Sequence, residues 1–166
     1  MSFLDDDVFR TIVANTPLIA IDLVVEDEQG CILLGERKNR PAQGFWFVPG
    51  GRIRKNERLD DAFRRLVSEE LGYQAERSDA RLLDLYEHLY SDSIFGDTPD
   101  THYVVVAHHL RVRRADLCLP QEQHSDFRWW SKAEMAVADN VHLNSRVYLD
   151  KIEGKGERGK GKGEKP

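Results

Sequence analysis

The chain has 166 residues, 40% of them hydrophobic and 32% charged, a composition that suits one domain with a sizeable core. Its formal net charge of −5 argues against a nucleic-acid partner, because phosphate backbones select clustered basic residues. No apolar run approaches the length of a membrane-spanning helix, and the acidic residues 1–7 lack the layout of an export signal, so a cytoplasmic protein is expected. Cys31 and Cys118 are far apart in sequence and are expected to be reduced thiols.

The hydrophobic pattern along the chain predicts helices and strands that are interleaved without regular alternation. The predicted helices are residues 5–15, about 57–71, a helix that Ser131 caps, and 143–152. The predicted strands are residues 17–26, 31–37, 45–48, 82–90, 102–112 and 127–130, with an antiparallel pair formed by the fourth and fifth. Because there is no βα alternation, we predict an α+β fold in which a mixed β-sheet is sandwiched between α-helices.

A single domain is expected over residues 1–152. The remaining residues, 153–166, alternate glycine with lysine, arginine and glutamate and contain no apolar side chain to bury. They are predicted to be a disordered or non-native tail that takes no part in the fold or the function.

A glycine turn is predicted directly after the strand at 45–48. The sequence Pro49-Gly50-Gly51 places no Cβ between the backbone carbonyls and a ligand, so the Gly50 carbonyl is a candidate ligand of a hard divalent cation. Further along, Asn56 is predicted to cap the helix that follows, and Gly72 is predicted to end it.

The helix over about residues 57–71 has an apolar stripe that ends in a carboxylate. Its apolar members, at three- and four-residue spacing, are Leu59, Ala62, Phe63 and Leu66, and Glu70 lies one turn beyond Leu66 on the same side. A buried carboxylate is costly without a partner, so Glu70 is predicted to bind a cation or an arginine. Glu69 points about 100° away and is a weaker candidate. For Glu57 two roles stay open, which are metal ligand and ion-pair partner of Arg65.

Residues 51–73 read Gly-x5-Glu-x7-Arg-Leu-Val-Ser-Glu-Glu-Leu-Gly-Tyr. This pattern resembles the Nudix box of diphosphate hydrolases, Gly-x5-Glu-x7-Arg-Glu-aliphatic-x-Glu-Glu-x-Gly-aliphatic. Leu66 stands where the box has the first glutamate of its helix, and Tyr73 closes the pattern. Over about residues 3–150 the sequence resembles the GDP-mannose mannosyl hydrolase branch of the family. The resemblance lies in Leu66, residues 40–52, the pair Gln123-His124 and residues 139–146. That branch keeps the arginine of the box and loses the neighbouring glutamate.

The resemblance implies a Nudix fold and hydrolysis of GDP-mannose, and of GDP-glucose, to GDP and free sugar. Water would attack the anomeric carbon, with inversion, instead of phosphorus. The leucine at position 66 agrees with this chemistry, because a carboxylate that could activate water near the phosphates is missing there. A base must then come from elsewhere, and the resemblance implies His124, whose imidazole is largely neutral at cytoplasmic pH.

Further roles follow from the same resemblance. It implies Mg²⁺ as the cofactor, held by the Gly50 carbonyl, Glu70 and Gln123. The implied catalytic residues are His124, Arg52, Asp22 and Tyr103. The implied substrate-binding residues are Phe3, Leu4, Phe9, Arg37 and His88, of which the first three match a segment that binds guanine. A homodimer without a nucleic-acid or membrane partner is also implied.

Plainer interpretations of several residues stay open. An ion pair with Arg37 alone accounts for Asp22 within an apolar strand. Phe9 also fits a core position, His88 a structural role and His124 a loop in contact with solvent. Two other functions are open as well. One is an ordinary Nudix pyrophosphohydrolase that attacks phosphorus, and the other is a nucleotide-sugar binding module without catalysis.

Overall fold

The structure, a computed structural model, describes residues 4–120 and 124–152, with residues 124 and 125 described by their backbone alone. The helices are α1 (Asp6–Asn15), α2 (Leu59–Leu71), α3 (Lys132–Val137), α4 (Leu143–Arg146) and α5 (Leu149–Ile152). The strands are β1 (Leu18–Glu26), β2 (Ile32–Arg37), β3 (Trp46–Phe47), β4 (Gly50–Arg52), β5 (Arg81–Tyr90), β6 (Thr101–Arg111) and β7 (His124–Trp130). Short 3-10 turns follow α2 and β6, at Arg77–Asp79 and Arg114–Asp116.

The strands form one mixed sheet in the order β3-β2-β1-β6-β5, with β4 paired to β1 and β7 paired to β2. β1 and β6 are parallel, with Leu18 opposite Tyr103, whereas β5 and β6 are antiparallel, as the sequence predicted. The predicted α+β fold with a mixed sheet between helices is confirmed.

Apolar side chains cover both faces of β1. On one face Ile21, Leu23 and Val25 pack against α2, and on the other face Val24 belongs to a cluster that includes Met135 of α3 and Leu149 of α5. A strand buried on both faces reads as a nearly continuous apolar run, which is why β1 is easy to recognise in the sequence. The one interruption of this run, Asp22, therefore lies in the middle of the sheet.

The predicted start of the box helix was wrong. Asn56 has a left-handed backbone (φ 66°) and does not cap the helix, which begins at Leu59 with Arg58 at the N-cap position and no side-chain cap. Leu59 is 41% exposed and so is not part of the core stripe, whereas Ala62, Phe63 and Leu66 are buried. Leu59 therefore lies outside the hydrophobic core, although its spacing fits the apolar stripe.

The predicted end of the same helix is confirmed. Gly72 has a left-handed backbone (φ 57°), and its N–H donates to the Ser68 carbonyl. A Cβ at this position would clash with the Cys118 carbonyl oxygen, so only glycine fits. This close approach brings residues 117–120 against the C-terminal end of α2.

Two further elements differ from expectation. The segment 143–152 forms two short helices instead of one, and Tyr148 lies between them. Gly50 and Gly51, predicted as part of a turn with Pro49, belong to strand β4, because pairing with β1 compensates for the low strand propensity of glycine. Within the described residues, no helix has both the length and the apolarity needed to span a bilayer. Cys31 and Cys118 are free thiols.

Candidate active site

A pocket of about 410 Å³ opens on the face of the sheet opposite α2. Six residues that the sequence resemblance assigned to the site line it: Asp22, Arg37, Gly50, Arg52, His88 and Tyr103. They come from five strands, which are β1, β2, β4, β5 and β6. The central position of β1, with β4 and β6 on its two sides, brings these distant parts of the sequence together.

Asp22 is the acidic residue at the base of this pocket. Its Oδ2 accepts a hydrogen bond from the Tyr148 hydroxyl at 2.6 Å. Burial raises the pKa of Asp22 to about 7, while the Tyr148 bond and the charge of Arg37 act in the opposite direction. The hydrogen-bond partner of the carboxylate is thus Tyr148, and Arg37 acts on it through space.

Gly50 lies directly opposite Asp22 in the β1–β4 pairing. A Cβ here would clash with the Ile21 carbonyl oxygen and would lie 2.7 Å from Asp22 Oδ1, so a glycine is required. The Leu23 N–H donates to the Pro49 carbonyl, and the Ile53 N–H donates to Ile19. Because bonded and non-bonded pairs alternate in an antiparallel ladder, the Gly50 carbonyl points away from β1 and is available to a ligand.

Aromatic rings hold the two arginines of the pocket. The guanidinium carbon of Arg37 lies 5.4 Å from the centroid of the Phe47 ring, and that of Arg52 lies 4.4 Å from the Phe9 ring. His142 stacks on Phe47 with ring centroids 4.6 Å apart. A guanidinium that lies over an aromatic ring can still donate hydrogen bonds in its own plane, and this geometry suits phosphate oxygens.

His88 and Tyr103 add polar groups to the walls of the pocket. His88 is 5% exposed, and burial, with a smaller effect of His142, lowers its pKa to about 4. Its imidazole is therefore neutral at physiological pH. Burial also raises the pKa of Tyr103, so its phenol stays protonated and can donate a hydrogen bond.

Glu70 is buried in α2, at 2% exposure, one turn beyond Leu66. It does not line the pocket as described. Leu66 is also 2% exposed, and its Cδ2 lies 2.5 Å from where a Cβ on Gly51 would be, so α2 packs closely on β4. The Cys118 N–H donates to the Leu71 carbonyl. This bond holds the backbone at Cys118 against the C-terminal end of α2.

The contacts of Glu57 show the ion pair with Arg65. Arg65 donates Nε to Glu57 Oε2 at 2.7 Å and Nη2 to Oε1 at 2.9 Å. The same guanidinium donates to the Arg52 carbonyl at 3.0 Å and to Glu69 at 3.1 Å. The hydrogen bonds from Arg65 hold the pKa of Glu57 below its usual value. Glu57 thus orients Arg65, which in turn fixes the backbone of Arg52.

The predicted donors are oxygen atoms, which are the kind of ligand that a hard cation takes. Across residues 4–120 and 126–152, no three His, Cys, Asp or Glu side chains are grouped as a metal cage. The Gly50 carbonyl and the Glu70 carboxylate are oxygen donors of the kind that Mg²⁺ takes, with substrate phosphates and water completing its shell. The third predicted ligand, Gln123, lies outside the described residues.

The remaining predicted residues are placed as follows. The backbone of His124 begins β7 and pairs with Arg37, which lines the pocket. Leu4 is 45% exposed, and Phe9, half-buried, contacts Arg52 without lining the pocket. Phe3 lies outside the described residues. Sequence reasoning missed Tyr148, because a tyrosine within an apolar C-terminal segment has no local signature of a site.

A family model described as the NUDIX domain matches residues 16–152. The chain therefore belongs to the Nudix family of hydrolases and has the Nudix fold. It is 40% identical over 150 residues to the low-salt glycan biosynthesis protein Agl8 of Haloferax volcanii, covering 90% of this chain and 91% of that protein.

Two further similarities are more distant. Nucleoside triphosphatase NudI of Salmonella schwarzengrund is 29% identical over 147 residues, which are 84% of this chain and 95% of that protein. The crystal structure of a MutT NUDIX hydrolase from Burkholderia pseudomallei has a TM-score of 0.67 at 24% identity and covers 83% of this chain and 99% of that chain. The similarity to the MutT structure concerns the fold alone.

Proposed function

We propose that the protein hydrolyses GDP-mannose, and also GDP-glucose, to GDP and free sugar by attack of water on the anomeric carbon, with inversion. One observation carries this proposal. A single pocket combines two arginines and the phenol of Tyr103, suited to a diphosphate, with the carboxylate of Asp22, suited to sugar hydroxyls. The name of the relative Agl8, a glycan biosynthesis protein, supports a sugar-containing substrate.

The packing of Leu66 supports attack on carbon over attack on phosphorus. In the ordinary Nudix box this position is a glutamate, but here the side chain is buried against Gly51 and has no proton-accepting group. The box helix therefore lacks one carboxylate that could activate water beside the phosphates. NudI, named as a triphosphatase, illustrates the ordinary alternative.

On the nucleotide side, Arg37 and Arg52 would bind the diphosphate oxygens and stabilise the charge that grows on the departing oxygen. Bound Mg²⁺, held by the Gly50 carbonyl, Glu70 and Gln123, would supply further neutralisation of the diphosphate. On the sugar side, His124 would take one proton from the attacking water while the bond from the anomeric carbon to the diphosphate oxygen breaks. Asp22 would orient the sugar, and Tyr103 would donate a hydrogen bond to the phosphate.

Hydrolysis in H₂¹⁸O tests the position of attack. The protein is incubated with GDP-mannose and magnesium, and the products are analysed by mass spectrometry. We expect free mannose that contains the label and GDP that does not. Label in GDP, or a labelled sugar phosphate, would establish phosphorus attack, whereas tight binding without any product would establish a binding module.

A Glu70→Gln variant is expected to bind Mg²⁺ about tenfold or more weakly, because an amide oxygen has no charge to offer the cation. Magnesium titration in the presence of GDP measures this, with heat of binding or metal-induced rise of Tm as the signal. Glu69→Gln is the matched control, since Glu69 is the adjacent, more exposed glutamate that pairs with Arg65 and Arg54. Equal metal affinity in wild type and Glu70→Gln would remove Glu70 from the ligand set.

We further propose a homodimer, as the resemblance to the GDP-mannose mannosyl hydrolases implies, which light scattering coupled to size-exclusion chromatography would test. The domain boundary at residue 152 and the tail 153–166, which lies outside the described residues, remain predictions. Cytoplasmic residence remains a prediction as well.

A further inference from the structure

Tyr148 is a fully buried tyrosine beneath the pocket, at 0% exposure. Its hydroxyl donates to Asp22 Oδ2 at 2.6 Å and lies 3.5 Å from His88 Nε2. Its ring packs edge-on against Tyr86, with ring centroids 4.8 Å apart. Tyr148 does not line the pocket, so any effect on a bound ligand must pass through the residues it touches.

The bond between Tyr148 and Asp22 satisfies two groups that would each be costly to bury alone. A buried phenol needs a hydrogen-bond partner, and a carboxylate within an apolar strand needs a donor. The bond also fixes the direction of the carboxylate. With Oδ2 held by Tyr148, Oδ1 lies beside Gly50, 2.7 Å from where a Cβ on that residue would be. Any larger residue at position 50 would displace the carboxylate from this orientation.

The segment that carries Tyr148 is itself bonded to the strands of the site. The Val48 N–H donates to Ser145 Oγ at 3.0 Å, and the His142 N–H donates to the Trp46 carbonyl at 3.1 Å. The Trp46 N–H in turn donates to the Asn140 carbonyl at 2.8 Å. These three bonds join residues 140–145 to residues 46–48, which are separated from Gly50 by Pro49 alone. The position of the Tyr148 hydroxyl is therefore set relative to the strand that enters the pocket.

We propose that Tyr148 is a positioning residue for the sugar end of the pocket, which acts by holding the Asp22 carboxylate in one orientation. The assignment of this end to a sugar rests on the proposed function. The C-terminal segment, in addition to the box helix, then determines activity. Within the part of the chain that the structure describes, the Tyr148 hydroxyl bonds to Asp22, lies beside His88 and has no bond to either pocket arginine. Its loss is therefore expected to affect the sugar and to leave binding of the diphosphate unchanged.

The test is a Tyr148→Phe variant, which removes one hydroxyl and keeps the ring that fills the core. We expect kcat on GDP-mannose to fall about ten- to hundredfold, the size of effect expected from one hydrogen bond to a charged group. Inhibition by GDP is expected to stay within about twofold of wild type, since the diphosphate contacts are intact. Tyr86→Phe is the matched control, because it removes a hydroxyl from the ring that packs on Tyr148 and has no bond to Asp22. Its kcat is expected to equal that of wild type.

A double-mutant cycle separates positioning from general packing. In an Asp22→Ala background, Tyr148→Phe is expected to cause no further loss of kcat, because the carboxylate through which it acts is gone. An equal loss in both backgrounds, or a loss of GDP binding that matches the loss of kcat, would overturn the proposal.

Calorimetric binding distinguishes a failure of this inference from a failure of the proposed function. If the wild-type protein releases no free mannose, the affinities for GDP-mannose and for GDP are still measurable. Tyr148→Phe is then expected to reduce the affinity for GDP-mannose and to leave that for GDP unchanged. A wild-type protein that binds both equally, or a variant that weakens both equally, would refute a role of Tyr148 at a sugar site.

Discussion

A His124→Gln variant is expected to turn over GDP-mannose about 10²- to 10⁴-fold more slowly than the wild type, which is the usual contribution of a general base. Glutamine has a similar size and can form hydrogen bonds, but it cannot accept a proton from water near neutral pH. The backbone of His124 pairs with that of Arg37, and Arg37 lines the pocket. Steady-state kinetics with GDP-mannose and magnesium measure the effect.

The loss should fall on kcat and spare the binding of GDP, because a base acts on water and not on the diphosphate. His102→Gln is the control. His102 neighbours Tyr103 on β6, and since successive side chains of a strand point to opposite faces, it faces away from the pocket. A kcat of His124→Gln equal to that of wild type would exclude His124 from the mechanism, and an equal loss in both variants would indicate a structural effect.

Restoring the glutamate of the ordinary box by Leu66→Glu is expected to lower the free energy of unfolding by about 3 kcal/mol or more. Leu66 is 2% exposed and belongs to the cluster formed by β1 and α2. Its Cδ2 lies only 2.5 Å from where a Cβ on Gly51 would be, so the side chain is packed closely against β4. A carboxylate there would have to be buried charged, or take up a proton, and either outcome destabilises the folded state. Urea unfolding in the presence of a chelator measures this without any contribution from bound metal.

Leu66→Met is the matched control for this variant. It conserves volume and apolarity, so its cost is expected to stay below about 1.5 kcal/mol. Should Leu66→Glu unfold within about 0.5 kcal/mol of wild type, the side chain would reach solvent, and the assignment of position 66 to the core would be wrong.

The hydrophobic periodicity of the sequence predicted most of the helices and strands. Periodicity identified the pair β5 and β6 to within one residue at each end, and the stop of α2 at Gly72 followed from the need for a left-handed backbone. The local pattern gave the wrong prediction at two places. Leu59 is exposed although its spacing fits the core stripe, and Gly50–Arg52 forms a strand because it pairs with β1. The local sequence also could not decide between the two roles of Glu57, because they differ only in which distant group its carboxylate contacts.

The sequence by itself determined the family, since the spacing of the box residues is a property of one helix and the turn before it, and it determined the chemical departure at Leu66. Six of the predicted site residues line one pocket, yet their meeting depends on the order of five strands. Only the tertiary structure decided that Asp22 is held by Tyr148, 126 positions away. Contacts at such separation leave no periodic trace in the chain, because they arise from the packing of a C-terminal segment against a central strand.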